Sequence, residues 1–146
     1  MSRIRITKTF TFEMAHALFQ YDGPCAHIHG HSYHLAVTLR GRPLSDPNHP
    51  KSGMVMDFSF VKALIQNTIL DQFDHVLVLN QTDPRAQYFF NNDTKLIVVP
   101  YQPTCENLVA DFAERMKPKL PDTVELFSLQ LRETPTGFAE WYADDN

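Results

Sequence analysis

Five of the seven histidines of this chain fall within one short stretch, and three of them have a spacing typical of metal ligands. His29 and His31 are two residues apart at the start of a segment that alternates like a strand, so both rings are expected on one side. His16 ends an earlier alternating segment, on its apolar face. Three neutral imidazoles around a zinc ion leave its fourth position open, as catalytic zinc sites require.

We therefore predict a zinc site formed by His16, His29 and His31. The alternative is that these histidines are exposed or hydrogen-bonded within the core. Two further histidines are weaker candidates: His27, and His34, which falls on the opposite face of its strand.

Cys25 lies four residues before His29 and is a candidate base or nucleophile, because a thiol near a divalent cation can ionise to a thiolate. The alternative is a small buried side chain. Asp74 and His75 are adjacent, and an aspartate can orient an imidazole for proton transfer. A histidine that complements the dipole of a helix C-terminus is the simpler interpretation of that pair.

Glu133 falls on the apolar face of a predicted strand, together with Phe127, Leu129 and Leu131. A buried carboxylate needs a partner, either a Lys or Arg of the protein or a ligand with two adjacent N–H donors. Glu106 lies in the first turn of a predicted helix, where it can complement the helix dipole.

Alternation with a period of two residues predicts four strands, at 4–16, 31–40, 125–133 and 138–142. Apolar stripes predict a helix capped by Asp57 and ending near Phe73, and a second helix capped by Thr104. The order ββααββ predicts an α+β fold: an antiparallel four-stranded sheet with two helices on one face, in a single domain over 1–146. In the remaining segment, 81–100, a loop with one helical turn is expected at 81–93 and a short extra strand at 95–100.

The composition excludes several classes of protein. Hydrophobic residues make up 43% of the chain and the net charge is −4, so the sequence lacks the basic balance of nucleic-acid binders. It has neither an apolar run of membrane-spanning length nor a secretory signal pattern. A cytoplasmic protein with Cys25 and Cys105 as reduced thiols is therefore expected, rather than one with a disulfide.

The combined motifs resemble the family of 6-pyruvoyl-tetrahydropterin synthases and 6-carboxy-tetrahydropterin synthases. The matching segments occur in the family's order and span nearly the whole chain: 10–16, 25–33, 53–58, 74–75, 103–107 and 132–134. The resemblance implies the tunnelling fold (T-fold), in which the sheets of several subunits close a barrel. It also implies a homo-oligomer with active sites between subunits.

By the same resemblance, His16, His29 and His31 would hold zinc. Cys25 would be the catalytic base, with Asp74 and His75 as its relay. Glu133 would anchor the pterin ring, and Glu106 would lie near that pocket. Four cations are candidates for binding a triphosphate: Arg40, Lys51, Arg85 and Lys95.

Three residues separate Cys25 from His29, which resembles the branch that makes 6-carboxy-tetrahydropterin on the route to queuosine; the pyruvoyl branch has five. The expected reaction converts dihydroneopterin triphosphate to 6-carboxy-tetrahydropterin, acetaldehyde and triphosphate. One alternative is the same chemistry stopping at 6-pyruvoyl-tetrahydropterin. Another is a non-catalytic zinc- and pterin-binding oligomeric module.

Overall fold

Two long antiparallel strands, β1 (Ile4–His16) and β2 (His29–Gly41), carry the three histidines. His16 lies opposite His29, and Met14 lies opposite His31, so the three rings are neighbours on one face of the sheet. This computed structural model describes residues 2–92 and 94–146. Asp93, within the predicted 81–93 loop, and Met1 lie outside the described residues.

Across the described residues the sheet has six strands, not the predicted four, in the order β4-β3-β1-β2-β5-β6. The four other strands are β3 (Val76–Asn80), β4 (Leu96–Val99), β5 (Val124–Thr134) and β6 (Gly137–Tyr142). β2, β5 and β6 continue the antiparallel arrangement. β3 instead runs parallel to the end of β1, and β4 runs parallel to β3, so the prediction of a wholly antiparallel sheet was wrong.

Two helices cover one face of the sheet, as predicted. α1 (Phe58–Ile65) is capped by Asp57 and continues through a π-helical turn, Gln66–Leu70, to the short helix Asp71–Phe73. The other long helix is α3 (Cys105–Met116). It is capped by Thr104, whose hydroxyl accepts a hydrogen bond from the Asn107 amide. Both helices bury an apolar stripe against the inward side chains of the strands: Val61, Ile65, Ile69, Phe73, Leu108, Val109, Phe112, Ala113 and Met116.

The segment between β3 and α3 adds a layer on the opposite face. Its helix α2 (Arg85–Phe90) confirms the expected helical turn, and β4 confirms the extra strand. Leu77 and Leu79 form a second apolar cluster with Ala17, while Val76 and Val78 join the main core. Ala86 and Phe89 of α2 pack on this second cluster, on the face away from α1 and α3. β3 is therefore covered on both sides.

A β-bulge changes which side chains of β5 face the core. Ser128 pairs with Thr38 and Leu126 with Leu39, so Phe127 is the extra residue. Leu126 enters the core in its place. Phe127 instead stacks against the guanidinium groups of Arg5 and Arg40, so the prediction that it shares the face of Glu133 was wrong.

In the described part of the chain, every helix is too short or too polar to cross a lipid bilayer.

Candidate functional site

The three predicted ligands meet at one end of the β1–β2 pair. One nitrogen from each of His16, His29 and His31 lies within 4.8 Å of the others, as a shared metal ion would require. The ring centroids are 4.6 Å apart for His16 and His29, and 4.9 Å for His29 and His31. His16 is almost fully buried, with 2% of its surface exposed. The cluster can therefore hold a metal ion.

Backbone carbonyls fix the tautomers of two of the rings. His16 Nδ1 is 2.7 Å from the Pro103 carbonyl oxygen, and His29 Nδ1 is 2.7 Å from that of His27. A carbonyl can only accept, so each Nδ1 carries the hydrogen and each neutral ring presents a lone pair at Nε2. These two Nε2 atoms face each other at 3.1 Å, where two lone pairs cannot form a hydrogen bond.

The third ring also presents an unsatisfied nitrogen. His31 Nε2 is buried, and it has no hydrogen-bond partner among the described residues. Buried polar atoms normally have partners, and a bound cation would satisfy all three nitrogens together. The donor set therefore fits a metal ion better than a network of hydrogen bonds.

The electrostatics favour the uncharged form that binds metals. Burial is the main cause of a lowered pKa at His16, opposed by the Pro103 hydrogen bond and the Glu133 carboxylate. Burial likewise lowers the pKa of His31, against the opposing effect of Glu133. Only the neutral imidazole can bind a metal ion, so the lowered pKa values reduce the competition between protons and a metal for these nitrogens.

Glu133 borders the histidine cluster. Its Oε1 lies 3.4 Å from His16 Nε2 and 3.8 Å from His31 Nε2, and it accepts a 3.2 Å hydrogen bond from the Tyr33 hydroxyl. Burial, aided by this carboxylate, raises the pKa of Tyr33 far above its usual range, so the phenol stays a donor. Within 2–92 and 94–146, no Lys or Arg forms an ion pair with Glu133.

Sequence reasoning assigned no role to Tyr33 or to the Pro103 carbonyl. Tyr33 could have been found, because it follows His31 by two residues and so shares its strand face. The Pro103 carbonyl could not, since no side chain signals its approach to His16.

Cys25 lies in a 3₁₀ turn, Pro24–Ala26, between β1 and β2. It is a partly buried free thiol, and its carbonyl accepts a hydrogen bond from the Leu18 amide at 2.9 Å. His27, in the same loop, is exposed and outside the histidine cluster, as is His34 on the outer face of β2.

Asp74 and His75 form a hydrogen-bonded pair, as predicted. Asp74 Oδ1 accepts from the Glu13 amide at 2.9 Å and is 2.8 Å from His75 Nδ1, so it orients the ring. The His75 side chain is 75% exposed. No hydrogen bond in the described chain joins this pair to Cys25.

The first turn of α3 contains the predicted pterin-pocket residue Glu106 and the second cysteine of the chain, Cys105. Glu106 is exposed in the first turn, close in sequence to Pro103. Cys105 is buried and donates to the Leu131 carbonyl at 3.1 Å; burial is the main cause that raises its pKa to about 11. A thiol with that pKa stays protonated near neutral pH, so of the two cysteines Cys25 is the better candidate for reaction.

Three of the four predicted triphosphate cations are already paired. Arg40 pairs with Glu125 and Asp144, Lys51 with Asp57, and Arg85 with Asp83. Lys95 instead donates to the Asp74 carbonyl at 3.2 Å. With His31 and His75, Lys95 lines a cavity of about 480 Å³, so this candidate cation shares a cavity with two of the predicted site residues.

A larger cavity of about 1210 Å³ lies elsewhere, between the 42–57 loop and the start of α1. It is lined by Leu44, Met54, Phe60 and the candidate cation Lys51, and by none of the predicted zinc ligands, catalytic residues or pterin-binding glutamates. Volume alone therefore does not locate the chemistry in this chain.

Residues 5–144 match the family model described as 6-pyruvoyl tetrahydropterin synthase, and the chain belongs to that family. It is 35% identical to the 6-carboxy-5,6,7,8-tetrahydropterin synthase of Haemophilus influenzae, over 94% of this chain and 97% of the relative.

Solved structures show the same architecture. The 6-pyruvoyl tetrahydropterin synthase of Caenorhabditis elegans is 25% identical with a TM-score of 0.70, over 98% of this chain and 97% of the other. An uncharacterized protein of Wolinella succinogenes is 21% identical with a TM-score of 0.80, over 98% and 99% of the two chains. These likenesses confirm the predicted α+β T-fold.

Proposed function

We propose that this protein is a zinc-dependent lyase, a 6-carboxy-tetrahydropterin synthase. It would convert 7,8-dihydroneopterin triphosphate and one water to 6-carboxy-5,6,7,8-tetrahydropterin, acetaldehyde and triphosphate. The observation that carries the proposal is the meeting of three imidazole nitrogens, two of them locked as lone-pair donors facing each other at 3.1 Å. The name of the Haemophilus influenzae relative supports this product.

His16, His29 and His31 would hold the zinc ion. Three neutral imidazoles match the ligand set of catalytic zinc, which keeps one position for water or substrate. When bound, the ion would supply Lewis-acid chemistry that makes the C–H bonds beside a bound hydroxyl easier to ionise. The carbonyls of Pro103 and His27 would fix the ring orientations.

Cys25 would remove the proton from the pterin side chain, with His75 accepting and returning it and Asp74 stabilising the charged imidazole. His75 is 75% exposed and has no hydrogen bond to Cys25 in the described chain, which favours a relay completed by a second copy. A homo-oligomer with active sites between subunits is therefore part of the proposal.

The open edge of β1 also supports assembly. β3 covers β1 only at Met14, Ala15 and His16, which leaves the earlier part of that edge of β1 without a strand partner in the described chain. Unpaired strand edges are commonly covered by another strand, and a second copy would supply one.

Glu133 would bind the pterin through the ring N–H and the amino group, with Tyr33 holding one carboxylate oxygen. Glu106, exposed at the start of α3, would lie near that pocket. Both cysteines are free thiols, which suits a protein of the reducing cytoplasm.

Mass spectrometry of the products after incubation with dihydroneopterin triphosphate tests the proposal. We expect 6-carboxy-tetrahydropterin together with acetaldehyde. A 6-pyruvoyl product without acetaldehyde would assign the chain to the other branch, whose name the C. elegans structure carries. Pterin binding with no change of the substrate would leave only a binding module.

A further inference from the structure

Arg85 joins the segment added between β3 and α3 to the loop that carries Cys25. Asp83 is a buried residue, with its side chain fully enclosed, and its two carboxylate oxygens accept from Arg85 Nε and Nη2 at 2.8–3.2 Å. A buried carboxylate needs such a cation, so the Asp83–Arg85 pair fixes where the guanidinium group lies.

The remaining terminal nitrogen of Arg85 reaches outside its own segment. Nη1 donates to the Ala26 carbonyl at 2.9 Å, directly after Cys25 in sequence. The Cys25 carbonyl accepts from the Leu18 amide at 2.9 Å. Two consecutive carbonyls of the turn are thus held from two different parts of the chain.

All three nitrogens of Arg85 are used by acceptors of the protein. The Asp83 carboxylate also compensates the charge of Arg85, which argues against the sequence-based possibility that Arg85 binds the triphosphate. The contact with Ala26 gives a role to a segment that the sequence left without one.

We propose that Arg85 is a positioning residue that holds the Cys25 turn in its reactive position. The inference rests on the proposed function of Cys25 as the base. A planar guanidinium can span a carboxylate and a separate carbonyl, whereas the single nitrogen of a lysine cannot reproduce that fork. Arg85→Lys therefore keeps a positive charge beside Asp83 and removes the anchor on Ala26.

The experiment compares zinc-loaded wild type with Arg85→Lys by steady-state kinetics and by iodoacetamide labelling, read by peptide mass spectrometry. We expect kcat to fall about tenfold with little change in KM, because misplacing a reacting group slows the chemical step. We also expect Cys25 to be labelled about fivefold faster, because the released turn exposes the thiol.

Cys105 and Arg115 provide the controls. Cys105 is buried at the start of α3, so its labelling reports general loosening of the fold. The Arg115 side chain is 32% exposed against 31% for Arg85, and it pairs with Asp111 away from the Cys25 loop. Arg115→Lys should keep wild-type kinetics and wild-type labelling of Cys25.

Wild-type kcat and wild-type Cys25 labelling in Arg85→Lys would overturn the proposal. Faster labelling of both cysteines together would also overturn it, since that indicates general loosening. If Arg85→Lys does not fold, the double variant Asp83→Asn/Arg85→Gln, which removes both charges, undergoes the same two measurements with the same criteria.

The labelling result stands apart from the proposed function. If the wild type does not convert dihydroneopterin triphosphate, the proposed function fails, while faster labelling of Cys25 alone would still establish the anchor. If the wild type turns over and Arg85→Lys matches it in both measurements, only the anchor fails.

Discussion

His16 and His29 point their Nε2 atoms at each other from 3.1 Å while each ring donates its other nitrogen's hydrogen to a backbone carbonyl. Such an arrangement is unfavourable without a positive charge between the nitrogens.

Removal of one ligand should abolish metal binding. We expect one zinc ion per chain in the wild type, and an affinity lower by more than about a hundredfold in His31→Ala, since even outer-shell changes cost 10–100-fold. His34→Ala is the matched control, because His34 is exposed on the other face of β2. Elemental analysis and calorimetric titration provide the measurement.

In the metal-free protein, His31→Ala should change the free energy of unfolding only slightly. His31 Nε2 has no hydrogen-bond partner in the described chain, so little stabilisation is lost with it. Saturating zinc should stabilise only the wild type, by about 2.7 kcal/mol at a hundred times Kd. Equal stabilisation of His31→Ala by zinc in thermal unfolding would contradict the site.

Mixing two inactive variants should restore activity. Cys25→Ala and His75→Ala should each lose turnover and keep zinc, because neither residue belongs to the histidine cluster. Since no hydrogen bond joins these residues within the described chain, mixed oligomers should recover some intact sites. Turnover after co-refolding of the two variants gives the readout, and persistent inactivity would argue for a site within one subunit.

Glu133→Gln should weaken substrate binding. A carboxylate bonded to N–H groups contributes about 1.5–3 kcal/mol, so KM should rise about tenfold or more while zinc content stays the same. Glu140→Gln is the control, because Glu140 is an exposed residue of β6 whose carboxylate accepts from Gln130. An unchanged KM in Glu133→Gln would remove this residue from the pterin pocket.

Cys105 should make folding stability fall at alkaline pH. Its pKa is raised from 9.0 to about 11 in the folded protein, so the unfolded thiol ionises first as pH rises. The stabilisation is complete below about pH 9 and is lost between pH 9 and 11, at most about 3 kcal/mol. Urea unfolding of the wild type and Cys105→Ala across this range should show their difference shrinking. A constant difference would contradict the shift.

The sequence correctly predicted that three histidines lie together, because the rule behind that prediction is local. His29 and His31 share a side through the two-residue period of a strand, and His16 joins them because β1 and β2 are neighbours in the chain. The caps at Asp57 and Thr104 were also correct, since each accepts from an amide two or three residues away.

Non-local features were missed. The run Val76–Asn80 has no alternation because β3 is covered on both faces, and its pairing with Met14–His16 spans about sixty residues. The bulge at Phe127 adds a residue inside a regular pattern, so the alternation appeared unbroken. Contacts such as Arg85 with Ala26 depend on the assembled fold and leave no periodic signal.

His75 adopts a left-handed backbone with φ of 60°. Glycine occupies this region without steric penalty, whereas a side chain with a β-carbon costs about 1 kcal/mol there. The bend sends the chain from Asp74 into β3 while leaving the imidazole outside the core. A glycine at position 75 would thus relieve the backbone strain but would remove the imidazole. His75 therefore costs the fold some stability, and its side chain is retained for a purpose other than folding.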